Sequence, residues 1–397
     1  MSKAEEGNKG MAHDKAYGRA RHPRGVRPAF LECTACARRH EVRLRNVCDC
    51  GAPLFARYAW SGLRRDALRD RPDLCRYAPL LPLEETEIVS RGEGGTPVLH
   101  APRIARSLRL RDLLVKDEGR NPTGTFKARG MAVAVPMAKA LGAKALVAPT
   151  AGNAGAALAT YAATYGMAAT VYVAPGAPAS ATREAEAFGA KVVPVAGSIA
   201  DAGREAAAAS EASGAFNVAT LREPYRVEGK KTMLLEIWED LPQMPEWILF
   251  PTGGGTGVAG IWKALGELRD LGWYEGPWPR IGLVQAEGCA PLVRAFLEGK
   301  ETAEPWPDPR TAAAGLRVPS TIADRIVLRA LRETRGGATA VSEDEMARAA
   351  GDLYRLEGIG ACLEGAATLA GLRRLLADGT VAVDASVLLV NTGRGTG

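Results

Sequence analysis

From about residue 111 onward, short apolar runs alternate with longer, Ala-rich stretches of helical character. The runs cover 112–116, 145–148, 169–173, 191–195, 247–250, 281–285 and 386–390. Continuous apolar strands separated by helices imply parallel sheet covered on both faces, the signature of an α/β fold. In such folds ligands sit beyond the carboxyl ends of the strands, in the loops that enter the next helix. Those loops are therefore where chemistry is expected. No internal repeat is evident, and 301–309 reads as a surface connection.

The stretch 116–130 reads Lys-Asp-Glu-Gly-Arg-Asn-Pro-Thr-Gly-Thr-Phe-Lys-Ala-Arg-Gly. A Pro-Thr-Gly turn leads into a predicted helix with Lys127 in its first turn. The positive end of the helix dipole and partial burial both disfavour the ammonium form there. A lysine with a lowered pKa is a nucleophile toward an aldehyde. Taken alone, the position also suits a solvated surface lysine.

Three more strand-end loops carry candidate chemistry. Thr150-Ala151-Gly152-Asn153-Ala-Gly155 offers backbone N–H groups and a helix start suited to a carboxylate. Asn153 adds an amide able to donate to a phenolic oxygen, or simply caps the helix. Pro251-Thr-Gly253-Gly254-Gly255-Thr256-Gly257 follows the run 247–250 and lets the backbone wrap closely around a phosphate. Its spacing matches neither a Walker loop nor the dinucleotide fingerprint. In Asn391-Thr392-Gly393-Arg-Gly395, after the run 386–390, the Thr392 hydroxyl can face a heterocyclic nitrogen. An aldehyde-reactive lysine, a phosphate cradle, an amide donor and a hydroxyl are together what pyridoxal phosphate requires.

Cys33-x2-Cys36 and Cys48-x-Cys50 form a compact block at 29–57 with the look of a small zinc ribbon, although the second pair is one residue short of the usual spacing. Zinc on Cys33, Cys36, Cys48 and Cys50 is one reading; cysteines that merely pack is the other. Cys75, Cys289 and Cys362 sit in apolar contexts as buried free thiols, and this usage fits a reducing cytoplasm.

Charge and composition narrow the alternatives. The net charge is +6, but residues 1–30 hold seven basic against three acidic side chains, which leaves only +2 beyond them. The segment 1–28 thus reads as a disordered basic tail, and the body lacks the basic face that nucleic acid demands. No apolar run is long enough to span a membrane, and the start Met-Ser-Lys-Ala-Glu-Glu is not followed by an apolar signal core, so secretion is not expected. Of four histidines only His100 lies outside the tail and the cysteine block, which leaves histidine-based hydrolysis or metal catalysis little to work with.

The chain resembles the fold-type II (tryptophan synthase β-like) pyridoxal-phosphate enzymes, and among them the threonine synthases. The resemblance runs from about Cys33 to the C-terminus. It rests on Glu93-Gly-Gly-Thr96-Pro97, Lys116-Asp-Glu-Gly, Asn121-Pro-Thr-Gly-Thr-Phe-Lys127, Gly152-Asn153, Val227-Glu-Gly-Lys-Lys-Thr232, the glycine loop and Thr392-Gly-Arg-Gly395. It implies that Lys127 bonds the cofactor and moves protons, that Phe126 packs on the cofactor ring, and that Asn153 meets its hydroxyl. Gly253 to Gly257 would take the phosphate, Thr392 the ring nitrogen, and Thr150, Ala151, Gly152 and Asn153 the substrate carboxylate. A large domain of 58–130 and 226–397, a small one of 131–225, and a homodimer are also implied.

The implied reaction converts O-phospho-L-homoserine and water to L-threonine and phosphate. Lys116, Arg129, Lys230 and Lys231 are candidates for its anion pocket. Two departures bear on the substrate: Ala128 follows the lysine where threonine synthases often have Asp, and Thr396-Gly397 ends the chain where Leu-Lys is common. The alternatives are a β-elimination ammonia-lyase acting on threonine, serine or diaminopropionate, a β-replacement synthase, and a catalytically silent ligand-binding protein.

Overall fold

The computed structural model describes residues 27–395; residues 1–26 of the segment expected to be disordered, and the last two residues, lie outside the described residues, whereas Arg27, also placed in that segment, is tied down, its N–H donating to the Pro82 carbonyl at 2.9 Å. The first element is a three-stranded antiparallel sheet, β1 (Phe30–Cys33), β2 (Arg39–His40) and β3 (Leu54–Arg57), in the order β2-β1-β3. Cys33 ends β1, and Cys36, Cys48 and Cys50 lie in the connections between its strands.

The body follows as β4 (Val98–His100), α1 (Pro102–Leu108), β5 (Asp112–Asp117), α2 (Lys127–Ala140), β6 (Ala145–Thr150), α3 (Asn153–Thr164), β7 (Ala168–Val173), α4 (Ala179–Ala187), β8 (Lys191–Pro194), α5 (Ile199–Ser213) and β9 (Phe216–Asn217). It continues with α6 (Tyr225–Asp240), β10 (Trp247–Pro251), α7 (Thr256–Asp270), β11 (Arg280–Ala286), α8 (Pro291–Leu297), α9 (Asp324–Glu333), β12 (Gly337–Val341), α10 (Glu343–Glu357), α11 (Leu363–Ala377) and β13 (Ser386–Asn391). All seven apolar runs are strands. The two-residue β9 and the antiparallel β4 were too short to show in the pattern, and Gly-Ala-Thr-Ala-Val of β12 is too weakly apolar.

Two sheets result. The strand order β12-β11-β10-β13-β5-β4 makes a six-stranded sheet, parallel except for the β4–β5 pair. The order β8-β7-β6-β9 makes a four-stranded parallel sheet. Strands β10, β13 and β5 end side by side, with Asn391 in register with Asp117. The loops that leave them therefore meet at one edge of the large sheet.

Helices α2 and α6 fill the centre. Residues 128–138 of α2 and 225–238 of α6 are buried throughout, so these helices have no solvent face. Their backbones nearly touch: a Cβ on Gly229 would sit 1.8 Å from the carbonyl oxygen of Arg129. Only glycine permits that approach, which explains the Glu-Gly-Lys-Lys stretch better than a solvated helix start does. Lys230 and Lys231 are fully buried. Among the described residues no helix is long and apolar enough to cross a membrane.

Candidate active site

Lys127 is the first residue of α2, and the turn before it is fixed by the C-terminal strand. The Phe126 N–H donates to the Thr392 carbonyl at 3.0 Å, Thr125 bridges Gly393, and the Arg394 N–H donates to the Gly124 carbonyl at 2.8 Å. Thr392 itself is buried, its hydroxyl 3.8 Å from the Cys362 sulfur. The glycine loop joins the same neighbourhood through Phe250, whose ring meets that of Phe126 edge-on at 5.7 Å. A Cβ on Gly257 would lie 2.1 Å from the Phe250 ring. The turn before Lys127 is thus fixed to Thr392 and Gly393, and the Phe126–Phe250 contact links it to the strand that leads into the glycine loop.

The electrostatics single Lys127 out. Burial lowers its pKa to about 8, and the nearby Arg226 guanidinium adds to the effect while Glu364 opposes it. Its nitrogen lies 4.5 Å from the Phe126 ring centroid, and that of Lys230 lies 3.7 Å from the same centroid. Lys230 also donates to the Phe126 carbonyl, and its pKa is held well below the ordinary value by burial, then by Lys127 and Arg226.

The other proposed cations are engaged elsewhere. Arg129 is fully buried and bidentate to both Glu118 and Glu236, with Nη–Oε contacts of 2.6–2.7 Å. Lys116 donates to the Thr96 carbonyl at 2.6 Å and pairs with Glu236 at 2.8 Å. Lys231 pairs with Glu228 at 2.7 Å and Glu267 at 2.8 Å, beside Lys263. These charges neutralise buried carboxylates and hold α2, α6 and α7 together.

Arg226 was missed by sequence reasoning. It is 1% exposed at the start of α6 and donates through Nη1 to the Val218 carbonyl at 2.9 Å; its Nε has no hydrogen-bond partner among the described residues. Burial lowers even its pKa, with Glu223 opposing. Among the described residues no carboxylate forms an ion pair with Lys127, Lys230 or Arg226. The nearby acids are occupied: Glu118 by Arg129, Glu364 by the Gly315 N–H at 2.7 Å, and Glu223 by the N–H groups of Tyr225 and Arg226. The two lysines can shed their protons but the Arg226 guanidinium holds its charge, so the cluster suits an anion. The one signal in sequence was a cation in the first turn of a helix, where the dipole disfavours it.

Both loop–helix junctions suit anions. Helix α7 begins after Gly255, in the left-handed conformation (φ 84°), and α3 after Gly152 (φ 128°); neither start has a side-chain cap. The first N–H groups of α7, and those of Asn153 and Ala154 in α3, are thus not consumed by side chains. Gly253 and Gly254 are packed so tightly that a Cβ would meet the Gly315 carbonyl oxygen at 2.2 Å or the Thr220 side chain at 2.9 Å.

In the other loop Asn153 is exposed and is not the cap, so its amide stays available. The Thr150 hydroxyl instead shapes the loop, accepting from the N–H groups of Gly152 and Gly155 at 2.9 Å each. Among the described residues no hydrogen bond links Asn153 to Lys127, the glycine loop or Thr392.

This arrangement fits a phosphorylated aldehyde: an amine with a depressed pKa, an uncapped glycine-led helix start and surplus buried positive charge. Comparison with known proteins agrees. A profile of the family described as pyridoxal-phosphate dependent enzyme matches residues 89–393. The chain belongs to this family. Its cofactor is pyridoxal phosphate, and it is a lyase. It is 35% identical to the threonine synthase of Methanosarcina acetivorans, over 91% of this chain and 90% of that protein. With the threonine synthase of Methanocaldococcus jannaschii the identity is 32%, over 91% of each. Maize serine racemase shares the fold, with a TM-score of 0.66 and 22% identity over 76% of this chain and 88% of its own.

Proposed function

We propose that the protein is a threonine synthase, converting O-phospho-L-homoserine and water to L-threonine and inorganic phosphate. The observation that carries this reading beyond the family is the unpaired buried cation Arg226 beside Lys127. A lyase acting on serine or threonine has no second phosphate to bind, whereas a phosphorylated substrate brings a dianion in addition to the cofactor's own.

Pyridoxal phosphate, when bound, withdraws electrons from the substrate's α-carbon and so acidifies its protons. Lys127 holds the cofactor and, with a pKa near neutrality, takes and returns protons at the adjacent carbons of the substrate. In this reading Gly253, Gly254, Gly255, Thr256 and Gly257 hold the cofactor phosphate at the start of α7, Phe126 lines its ring, and Thr392 faces the ring nitrogen. A neutral hydroxyl there leaves that nitrogen unprotonated. Asn153 meets the ring hydroxyl, and the N–H groups at 150–153 take the substrate carboxylate. Arg226, with Lys230 behind it, draws the substrate phosphate in and stabilises it as it departs.

The strand content supports a large unit of 58–130 and 226–397 and a small one of 131–225 that closes on the substrate. Crystal structures with and without a substrate analogue test this; an unchanged relative orientation would sink the closure. The family resemblance supports a homodimer, and the seven unpaired thiols suit a cytoplasmic setting.

The deciding experiment incubates cofactor-loaded enzyme with O-phospho-L-homoserine and quantifies phosphate and threonine together. Sustained equimolar release is expected. Phosphate released with a keto acid, or turnover of serine, threonine or diaminopropionate alone, would overturn the assignment in favour of an elimination enzyme.

A further inference from the structure

The cysteine block lies outside the site described above, yet its geometry is specific. The four sulfur atoms of Cys33, Cys36, Cys48 and Cys50 all lie within 4.8 Å of one another. Cys33 and Cys50 are 3.5 Å apart, Cys36 and Cys48 3.7 Å. A tetrahedral ion with zinc–sulfur bonds of about 2.3 Å sets its ligand sulfurs about 3.8 Å apart. A disulfide needs about 2.05 Å. The Ala35 and Cys36 N–H groups both point at the Cys33 sulfur at 3.4 Å, as donors to a thiolate do, and His40 Nε2 stands 3.3 Å from the Cys48 sulfur. Shortening the second pair to Cys-x-Cys has not opened the tetrahedron.

What the block touches gives it a role. Leu44, between the two cysteine pairs, packs against the core of the four-stranded sheet, a cluster that includes Phe216 and Val218. Asn46 donates to the Asn217 carbonyl at 2.6 Å. The next carbonyl, that of Val218, accepts from Arg226. On the other side Cys33 and Cys48 share a buried cluster with Val133, Ala134 and Met137 of α2 and with Tyr225, the neighbour of Arg226.

We propose that Cys33, Cys36, Cys48 and Cys50 bind one zinc ion, and that the ion holds the 37–47 loop against residues 217–218, positioning Arg226 for its anion. One ion bound to all four sulfurs would give the loop a rigid base. Asn46 and the metal are positioning elements and touch no reacting atom.

Metal analysis of tag-free holoenzyme should find one zinc per chain. Its replacement by cobalt should give the ligand-field bands of tetrahedral thiolate coordination. Cys36→Ser and Cys50→Ser remove the two exposed ligands without hollowing the core and should each lose the metal. Should either variant fail to fold, chelator titration of the wild-type holoenzyme yields the same stoichiometry. Absence of metal, or two disulfides by thiol titration, overturns the site. For the positioning role, Asn46→Ala should retain zinc and bound cofactor yet bind inorganic phosphate about three- to tenfold more weakly. Unchanged phosphate affinity, with zinc present, overturns that role.

Discussion

The side-chain nitrogens of Lys127 and Lys230 lie over one aromatic ring, that of Phe126, at 4.5 and 3.7 Å from its centroid. Two ammonium groups so placed, both buried, repel one another and lose hydration together. The ring recovers only part of that cost, on the order of 2 kcal/mol per desolvated cation. One consequence is a reactive amine near neutral pH; the other is a demand for an anion close by.

The first consequence is measurable in the apoprotein. The neutral amine is the form that attacks an aldehyde, and Lys127 becomes neutral as pH rises through about 8. The rate of covalent pyridoxal-phosphate uptake should therefore rise from pH 6 and level off above about 9, with a midpoint near 8. A midpoint near the ordinary lysine value of 10.5 would refute the burial argument. Lys127→Ala should take up no cofactor covalently and should lose turnover by about a thousandfold or more.

Arg226 connects both consequences. Arg226→Gln removes a positive neighbour, so the Lys127 midpoint should move upward, and the KM for a phosphorylated substrate should rise by about tenfold or more. Arg226→Lys should restore part of the KM and most of the midpoint. Because its Nε is buried without a partner, the Gln variant should be no less stable to urea than wild type. A lowered stability with unchanged KM would make Arg226 a structural residue only.

The motifs on strand ends were legible because their chemistry depends on backbone position: Lys127, the 253–257 loop and Thr392 follow strands that announce themselves by apolar runs. Charge roles were not legible. Lys116 and Arg129 read as free cations in sequence because their carboxylate partners lie on other elements; Glu236 is 107 residues from Arg129, and Lys231 shares itself between Glu228 of its own helix and Glu267 of α7. Arg226 immediately precedes the recognised motif Val227–Thr232, yet only burial reveals that it lacks a counter-ion. Likewise the sequence could not say that Thr150 spends its hydroxyl on its own loop while Asn153 leaves its amide open.

Arg129 should behave as the opposite of Arg226. Its loss strands two buried carboxylates, and breaking such a pair costs about 3–5 kcal/mol. Arg129→Leu should lower the urea midpoint accordingly, or prevent folding, and Arg129→Lys should rescue little because a lysine cannot bridge both acids bidentately. The joint variant Arg129→Leu with Glu236→Gln should recover part of the loss, which separates the network from mere packing. A full-stability Arg129→Leu protein with a raised KM would return this residue to the substrate site.

The glycine cradle gives a prediction about cofactor affinity. Gly253→Ala would place its methyl 2.2 Å from the Gly315 carbonyl, so the loop must shift away from the start of α7. Pyridoxal phosphate should then dissociate about tenfold more readily or worse, read by equilibrium dialysis, with little change in far-ultraviolet circular dichroism. The Gly315 N–H is held by Glu364, so the segment opposite cannot readily yield. Unchanged cofactor affinity would show that the phosphate is bound elsewhere.

Glu223 sets a pH dependence of stability that is independent of turnover. Burial raises its pKa from 4.5 to about 7, against the opposing pull of Arg226 and the N–H groups of Tyr225 and Arg226. Below about 4.5 the folded and unfolded chains both hold the proton and the residue contributes no difference. Between 4.5 and 7 the unfolded chain releases it while the folded chain retains it, so stability falls as pH rises through this window. Above 7 both forms are ionised and the penalty is constant, on the order of 3 kcal/mol as an upper bound. Glu223→Gln keeps an acceptor oxygen for the two N–H groups and removes the charge. Urea unfolding of wild type and variant at about pH 5, 6, 7 and 8 should therefore show the variant gaining on wild type up to pH 7 and then running parallel to it. A gap that does not change with pH would mean that Glu223 is ionised in the fold at pH 5, and that Arg226 is not unpaired after all.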